Sequence, residues 1–123
     1  MQKFFPLKKR IKKNEGFSNC AYLDSLGNHT IGYGHLIKKN EPELLKKKLS
    51  KKKLSNIFER DFEEALSCYK KSYKKNFYSK NIKEVFIEMI FQMGYRNHKQ
   101  FVKMLRYIKQ NNLFLAALEM KNS

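Results

Sequence analysis

The chain predicts an α+β fold in which a long bridging helix joins a small β-hairpin lobe to a helical lobe. Three observations lead there. Residues 17–35 hold two short β-prone runs around a turn-rich segment. Residues 50–73 hold one unbroken helical recurrence of apolar side chains, and the chain beyond is helical in pattern. A length of 123 residues gives room for a single domain with two lobes, not for two independent domains.

The first element is a helix over about residues 4–14. Pro6 suits its first turn, Leu7, Ile11 and Asn14 recur on one side, and Gly16 ends it. Glu15 then falls at the helix C-terminus, where the negative end of the dipole disfavours an ionised carboxylate. The hairpin lobe spans about 15–49, with strands expected at 19–23 and 30–33. Asp24, Ser25, Leu26, Gly27 and Asn28 form the turn between them. Gly32 and Gly34 flank Tyr33, a pattern that marks close backbone approach or a bend. Residues 38–48 read as a lysine-rich connector with one short helix after Pro42.

Ser50 is a fitting N-cap for the bridging helix, about 50–73, in which Leu54, Ile57, Phe58, Phe62, Ala65 and Leu66 recur at helical spacing. The helical lobe covers about 77–123 together with the N-terminal helix at 4–14. Its helices are expected at 82–93, stopped by Gly94, at 98–110 and at 113–120. Val85, Phe86, Met89, Ile90 and Met93 run nearly all round the first of these, which predicts a buried core helix.

Composition narrows the function classes. Apolar residues make up 41%, enough for a modest core, so disorder is rejected despite the charge. A net charge of +16 predicts attraction to a polyanion: nucleic acid, anionic lipid or an anionic wall polymer. Lysine runs are also ordinary solvated surface, so the charge names no partner. The start MQKFFPLKKR lacks a signal peptide's apolar run, and no stretch is long enough to span a membrane. The expectation is a soluble monomer, cytoplasmic until released to the cell wall. Cys20 and Cys68 have no metal-ligand spacing. Paired, they would close a loop; free, they are small buried hydrophobes, and a single pair is no disulfide framework, so free thiols are expected.

The chemistry concentrates in EGFSNCAYLDSLGNHTIGYGH, residues 15–35. Hydrolysing a glycosidic bond needs an acid to protonate the departing oxygen, and a base or nucleophile for the anomeric carbon. Glu15 is the candidate acid. Asp24, in a polar turn, is the candidate for the ionised partner, and Thr30 can help hold the attacking water. Each has a plain alternative: a surface glutamate beside a helix-ending glycine, a common turn former, and a common strand residue. The ordered whole within one short segment carries more than any of the three alone.

With those residues in view, the sequence resembles the phage-type lysozymes, the T-even-like endolysins. Glu15, Asp24 and Thr30 match that family's catalytic residues in order and spacing. Thr30-Ile31-Gly32-Tyr33-Gly34-His35-Leu36 matches its TIG-x-GH segment, Phe91-Gln92-Met93-Gly94 matches a signature on the second-lobe core helix, and the tail FVKMLRYIKQNNLFLAALEMKNS aligns with family helices. The resemblance implies a lysozyme-like fold and a muramidase acting on peptidoglycan glycan strands. It makes Glu15 the proton donor and Asp24 with Thr30 the water-positioning pair. Leu36 and Phe91 match positions lining the sugar cleft. Met104 and Glu119 fall at further substrate contacts, though with different residue types. His35 matches a histidine in a structural ion pair with an aspartate of the bridging helix, here Asp61. No second ligand is spaced to join His35 at a metal, so neither metal nor cofactor is expected. Relative to the family the chain stops at Ser123, short of C-terminal helices and of an arginine that meets the catalytic glutamate.

Two other classes compete with the enzyme. A truncated, weak or inactive lysozyme-like module would bind glycan or a partner protein without turnover. A nucleic-acid binder would use the charge, but no recognition module is present, so nucleic acid is not an expected partner. For the enzyme, access to the wall would need a holin or a delivery apparatus.

Overall fold

Apolar spacing, glycine placement and one proline account for most of the helix and strand boundaries. The structure, a computed structural model, describes residues 3–74 and 78–109. They form helices α1 (Phe5–Glu15), α2 (Lys51–Ser72) and α3 (Lys80–Lys109). Strands β1 (Ser18–Leu23), β2 (His29–Gly32) and β3 (His35–Leu36), with a 3-10 turn at Pro42–Leu45, complete an α+β layout. The expected helix at 113–120 lies outside the described residues. Two units, Met1–Glu64 and Ala65–Ser123, meet within the length of α2, and each is described by itself.

In the first unit, α1 buries Leu7 and Ile11, one turn apart on a single face, while Asn14 is exposed. Gly16 closes the helix with a left-handed φ of 75° and an N–H bond to the Lys12 carbonyl at 3.0 Å. The expected hairpin proves to be a three-stranded antiparallel sheet, ordered β1-β2-β3. Tyr22 pairs with Thr30 and Leu23 with His29, and the register shifts before Ser18 meets Gly32. β3 was not expected. It is two residues long, and Gly32 and Gly34, with φ of 65° and 79°, turn the chain around Tyr33 to bring it back. Alternation along the strands places Thr30 opposite Leu36 on one face of the sheet, and Ile31 opposite His35 on the other.

Ile31 joins Leu44, Leu49, Leu54 and Ile57 in a core cluster. Burying each such aliphatic side chain is worth about 1.5–3 kcal/mol. Ser50 caps α2 as expected, its hydroxyl accepting the Lys53 N–H at 3.1 Å. From there the buried face of α2 runs through Leu54, Ile57, Phe58, Phe62, Ala65, Leu66 and Tyr69, the i, i+3, i+4 recurrence of one helix face. Within the first unit, rings extend this face, with Tyr33 at 5.6 Å from Phe58 and Phe4 at 5.7 Å from Phe62.

In the second unit, Gly94 interrupts α3 with φ 80° and ψ 160°. The break is this single residue, not the four-residue gap expected before 98, because one left-handed glycine redirects the chain and helix resumes at once. The all-round burial expected of 82–93 is also corrected. Ile87 and Ile90 are the buried pair, whereas Val85 is 49% exposed and Met93 36%. Residue 85 lies across the helix from Ile87 and Ile90, whereas Met93 follows Ile90 on the same face but sits at the Gly94 break; apolar content alone reveals neither. Cys20 is exposed and Cys68 half-buried, both free, so Cys20 is not the small buried hydrophobe expected.

Fully buried His98 is this unit's unusual core residue. Its Nε2 lies 2.7 Å from the Tyr73 hydroxyl, and its ring packs on Phe86 at 4.8 Å. Nδ1 has no hydrogen-bond partner among the described residues. Burial pushes His98 below the usual 6.5 and Tyr73 up to about 12. A histidine whose folded pKa is depressed binds more protons when unfolded, so its contribution to stability is lost as pH falls below 6.5. Protection factors of α3 amides, referred to the intrinsic exchange rate at each pH, are therefore expected to fall with acidification, and His98→Leu to flatten that dependence. An exchange profile equally pH-dependent in parent and variant would contradict the assignment.

Candidate active site

The three chemical residues are carried by two local structures of the first unit. Asp24 opens the β1–β2 turn. Its Oδ1 accepts the N–H groups of Leu26 at 2.9 Å and Asn28 at 2.8 Å, and its own N–H donates to the Asn28 carbonyl at 2.9 Å. This is an Asx turn, which an aspartate at that position forms from its own short side chain. The Asn28 N–H is the largest influence holding the Asp24 carboxyl below its usual range. Partial desolvation opposes it, and the Leu26 N–H and the side chains of Asn28 and Thr30 add to it. Thr30, 3% exposed on β2, gives its hydroxyl to the Asn28 carbonyl at 3.1 Å. Asp24 and Thr30 are thus brought together, with the carboxylate ionised.

Glu15 ends α1, and its side chain packs on Gly34 of the β2–β3 turn. A Cβ added at Gly34 would collide with Glu15 Oε2 and approach its Cδ to 3.0 Å. Only glycine fits here, for two separate reasons: the positive φ and the carboxyl group lying where a side chain would start. Gly34→Ala is expected to lower stability by about 1–2 kcal/mol through its backbone conformation. It should also cut turnover at least tenfold by displacing Glu15 (about 1.4 kcal/mol at the barrier). Gly94→Ala, with a similar φ of 80° but nothing within 4 Å, provides the control: a similar backbone cost and unchanged turnover, read by melting curves and initial rates.

Buried His35 centres a part-buried ion network in the same unit. His35 Nδ1 lies 2.7 Å from Asp61 Oδ2, and Nε2 lies 2.9 Å from Glu41 Oε1. Glu41 also accepts the Lys38 N–H at 3.0 Å and meets Arg60 at 3.3 Å. The hydrogen bond to Asp61 is the main reason that His35 is held above its ordinary 6.5; burial opposes it, and Glu41 supports it. The sequence reading paired His35 with Asp61 and missed Glu41. A glutamate before a proline in a lysine-rich connector carries no sign that it will fold back onto a histidine six residues earlier.

The remaining candidates are more dispersed. Leu36 sits across from Thr30 on the sheet and is 52% exposed. Phe91 and Met104 are half-buried on α3. Glu119 lies outside the described residues. Among the described residues, no cluster of three or more His, Cys, Asp or Glu side chains could hold a metal ion, and no helix is long and apolar enough to cross a membrane.

The chain is similar to known proteins over most of its length. The family described as phage lysozyme matches residues 12–122. A probable T4-type lysozyme 2 of Dictyostelium discoideum is 33% identical over 140 aligned positions, covering 95% of this chain and 82% of that protein. A probable T4-type lysozyme 1 of the same organism is 34% identical with the same coverage. With an α+β layout and a match over most of its length, the chain belongs to the phage lysozyme family and is a lysozyme-like glycoside hydrolase.

Proposed function

We propose that the chain is a muramidase, cleaving the β-1,4 bond between N-acetylmuramic acid and N-acetylglucosamine in bacterial peptidoglycan. Glu15, protonated, gives its proton to the glycosidic oxygen as the bond from the anomeric carbon breaks. Asp24 and Thr30 hold the water that attacks that carbon, and the water's proton passes to Asp24. The observation that carries this reading is the Asx turn. It keeps Asp24 ionised by fixed N–H donors and sets the Thr30 hydroxyl beside it, as a water-holding base requires. Glu15, against Gly34 two residues beyond β2, supplies the second carboxyl from a separate element. Both relatives are named as probable lysozymes, which supports the same substrate class.

Mass spectrometry of products from purified peptidoglycan tests the proposal. Fragments ending in reducing N-acetylmuramic acid are expected. Reducing N-acetylglucosamine ends, or cleaved peptide stems, would reject the bond assignment. Glycan binding without any product would point instead to the inactive lysozyme-like module.

A further inference from the structure

Among the described residues, several cations have a partner in the fold or a favourable helix end. Lys8 pairs with Glu59 at 2.6 Å, Lys12 lies 4.8 Å from the centroid of the Phe58 ring, and Arg60 meets Glu41. Lys70 and Lys71 sit in the last turn of α2, where the helix dipole favours positive charge. The run 46–53 is different. Lys46, Lys47, Lys48, Lys51, Lys52 and Lys53 are all exposed, and among the described residues no ion pair joins any of them to an acidic side chain. Three of them occupy the first turn of α2, which has no acidic residue, so they oppose the dipole they sit on. Clustered like charges at the wrong helix end lower stability and gain nothing internally.

The run is also held in place. Leu49, at its centre, is buried, and its N–H donates to the Asn19 carbonyl of β1 at 3.0 Å. Leu44 and Leu54 are buried on either side in the same cluster as Ile31, which neighbours Thr30 on β2. Leu44, Leu49 and Leu54 turn inward at every fifth position and leave the lysines outward, on a segment that Leu49 and Leu54 tie to the sheet.

We infer that Lys46–Lys48 and Lys51–Lys53 form a polyanion-binding face that holds the enzyme on a phosphodiester-bearing polymer of the bacterial wall, apart from the glycan it cuts. This inference rests on the muramidase reading for its choice of wall. The composition of the face supports a linear polymer over two alternatives. Residues 38–53 contain no aromatic side chain on which bases could stack and no aromatic anchor for a bilayer. Every cation of the run is lysine, a mobile point charge suited to repeated phosphates rather than to planar, bidentate recognition. Retention on the wall raises the local concentration of glycan at the site without any new contact to sugar.

The test is a pelleting assay with walls that carry their phosphodiester polymer and with the same walls stripped of it by hydrofluoric acid. The parent is compared with the triples K46Q/K47Q/K48Q and K51Q/K52Q/K53Q, and with K70Q/K71Q/K74Q as a charge-matched control. Each run triple is expected to lose at least tenfold in retention on intact walls and to flatten the slope of log affinity against log salt by roughly two. The control should lose little, and stripped walls should hold parent and triples alike. K51Q/K52Q/K53Q relieves the dipole conflict, so its melting point should not fall; loss of retention then cannot be misfolding. Equal retention by parent and run triples overturns the inference, as does equal binding of the parent to stripped walls. Tighter run-dependent binding to phosphatidylglycerol vesicles or to DNA also overturns it in favour of those partners. Turnover of a short, phosphate-free glycan is measured alongside and should be the same in all variants. Cleavage without run-dependent retention removes this inference alone, whereas retention without cleavage removes the muramidase reading alone.

Discussion

Glu15→Gln is expected to slow peptidoglycan hydrolysis by about 10²–10⁴-fold, the usual contribution of a positioned general acid. Gln keeps the size and shape that fit against Gly34, so the fold should survive, but its amide is too weak an acid to transfer a proton to a departing oxygen. Any change in stability is read separately, since Gln also alters the charge at the C-terminus of α1. Initial clearing rates and melting curves on the same preparations separate the two effects. A variant within a few-fold of the parent rate would remove Glu15 from the mechanism; one that is slow only because it is unfolded would show it in the melt.

The second large effect concerns the His35 network. Asp61→Asn is expected to destabilise the first unit by roughly 1.5–3 kcal/mol, the usual worth of a hydrogen bond to a charged group, since the pair is part-buried and Glu41 remains on the other ring nitrogen. The sign of the pH dependence follows from the direction of the shift. His35 is held above 6.5 in the folded chain, so the native state binds more protons than the unfolded state between 6.5 and that raised value. Its stabilisation is complete below pH 6.5 and is lost as pH rises through the folded pKa. Unfolding followed by probes in the first unit should show a midpoint that falls as pH climbs through this window, and Asp61→Asn should shrink the fall. A midpoint that rises with pH in the parent would contradict an imidazolium between two carboxylates. His98 has the opposite sign, so acidification should tighten the first unit while loosening the second.

Much of the fold was legible because local chemistry decided it. Pro6 and Gly16 bound α1 in sequence and in structure, Ser50 caps α2 where a cap was expected, and Asp24 with Gly27 makes the turn that their residue types favour. The candidate site was legible for a related reason. Glu15, Asp24 and Thr30 lie on adjacent local structures, so a pattern within one short segment is enough to single them out.

What escaped the sequence shares one physical feature: it depends on residues that meet only after folding. β3 is too short to show a pattern and exists because two glycines turn it onto β2. Glu41 matters because His35 comes to rest beside it, and Gly34 because the end of α1 places a carboxyl group where its side chain would begin. Val85 and Met93 were expected in a core they do not enter, since apolar content shows neither which face a helix buries nor what the break at Gly94 does to that face. By itself the sequence determined α1, α2, the turn chemistry and the α+β class, and singled out Glu15, Asp24 and Thr30 as candidates. Tertiary structure alone decided which charges are satisfied and which are left facing solvent, because pairing and burial are properties of neighbours in space.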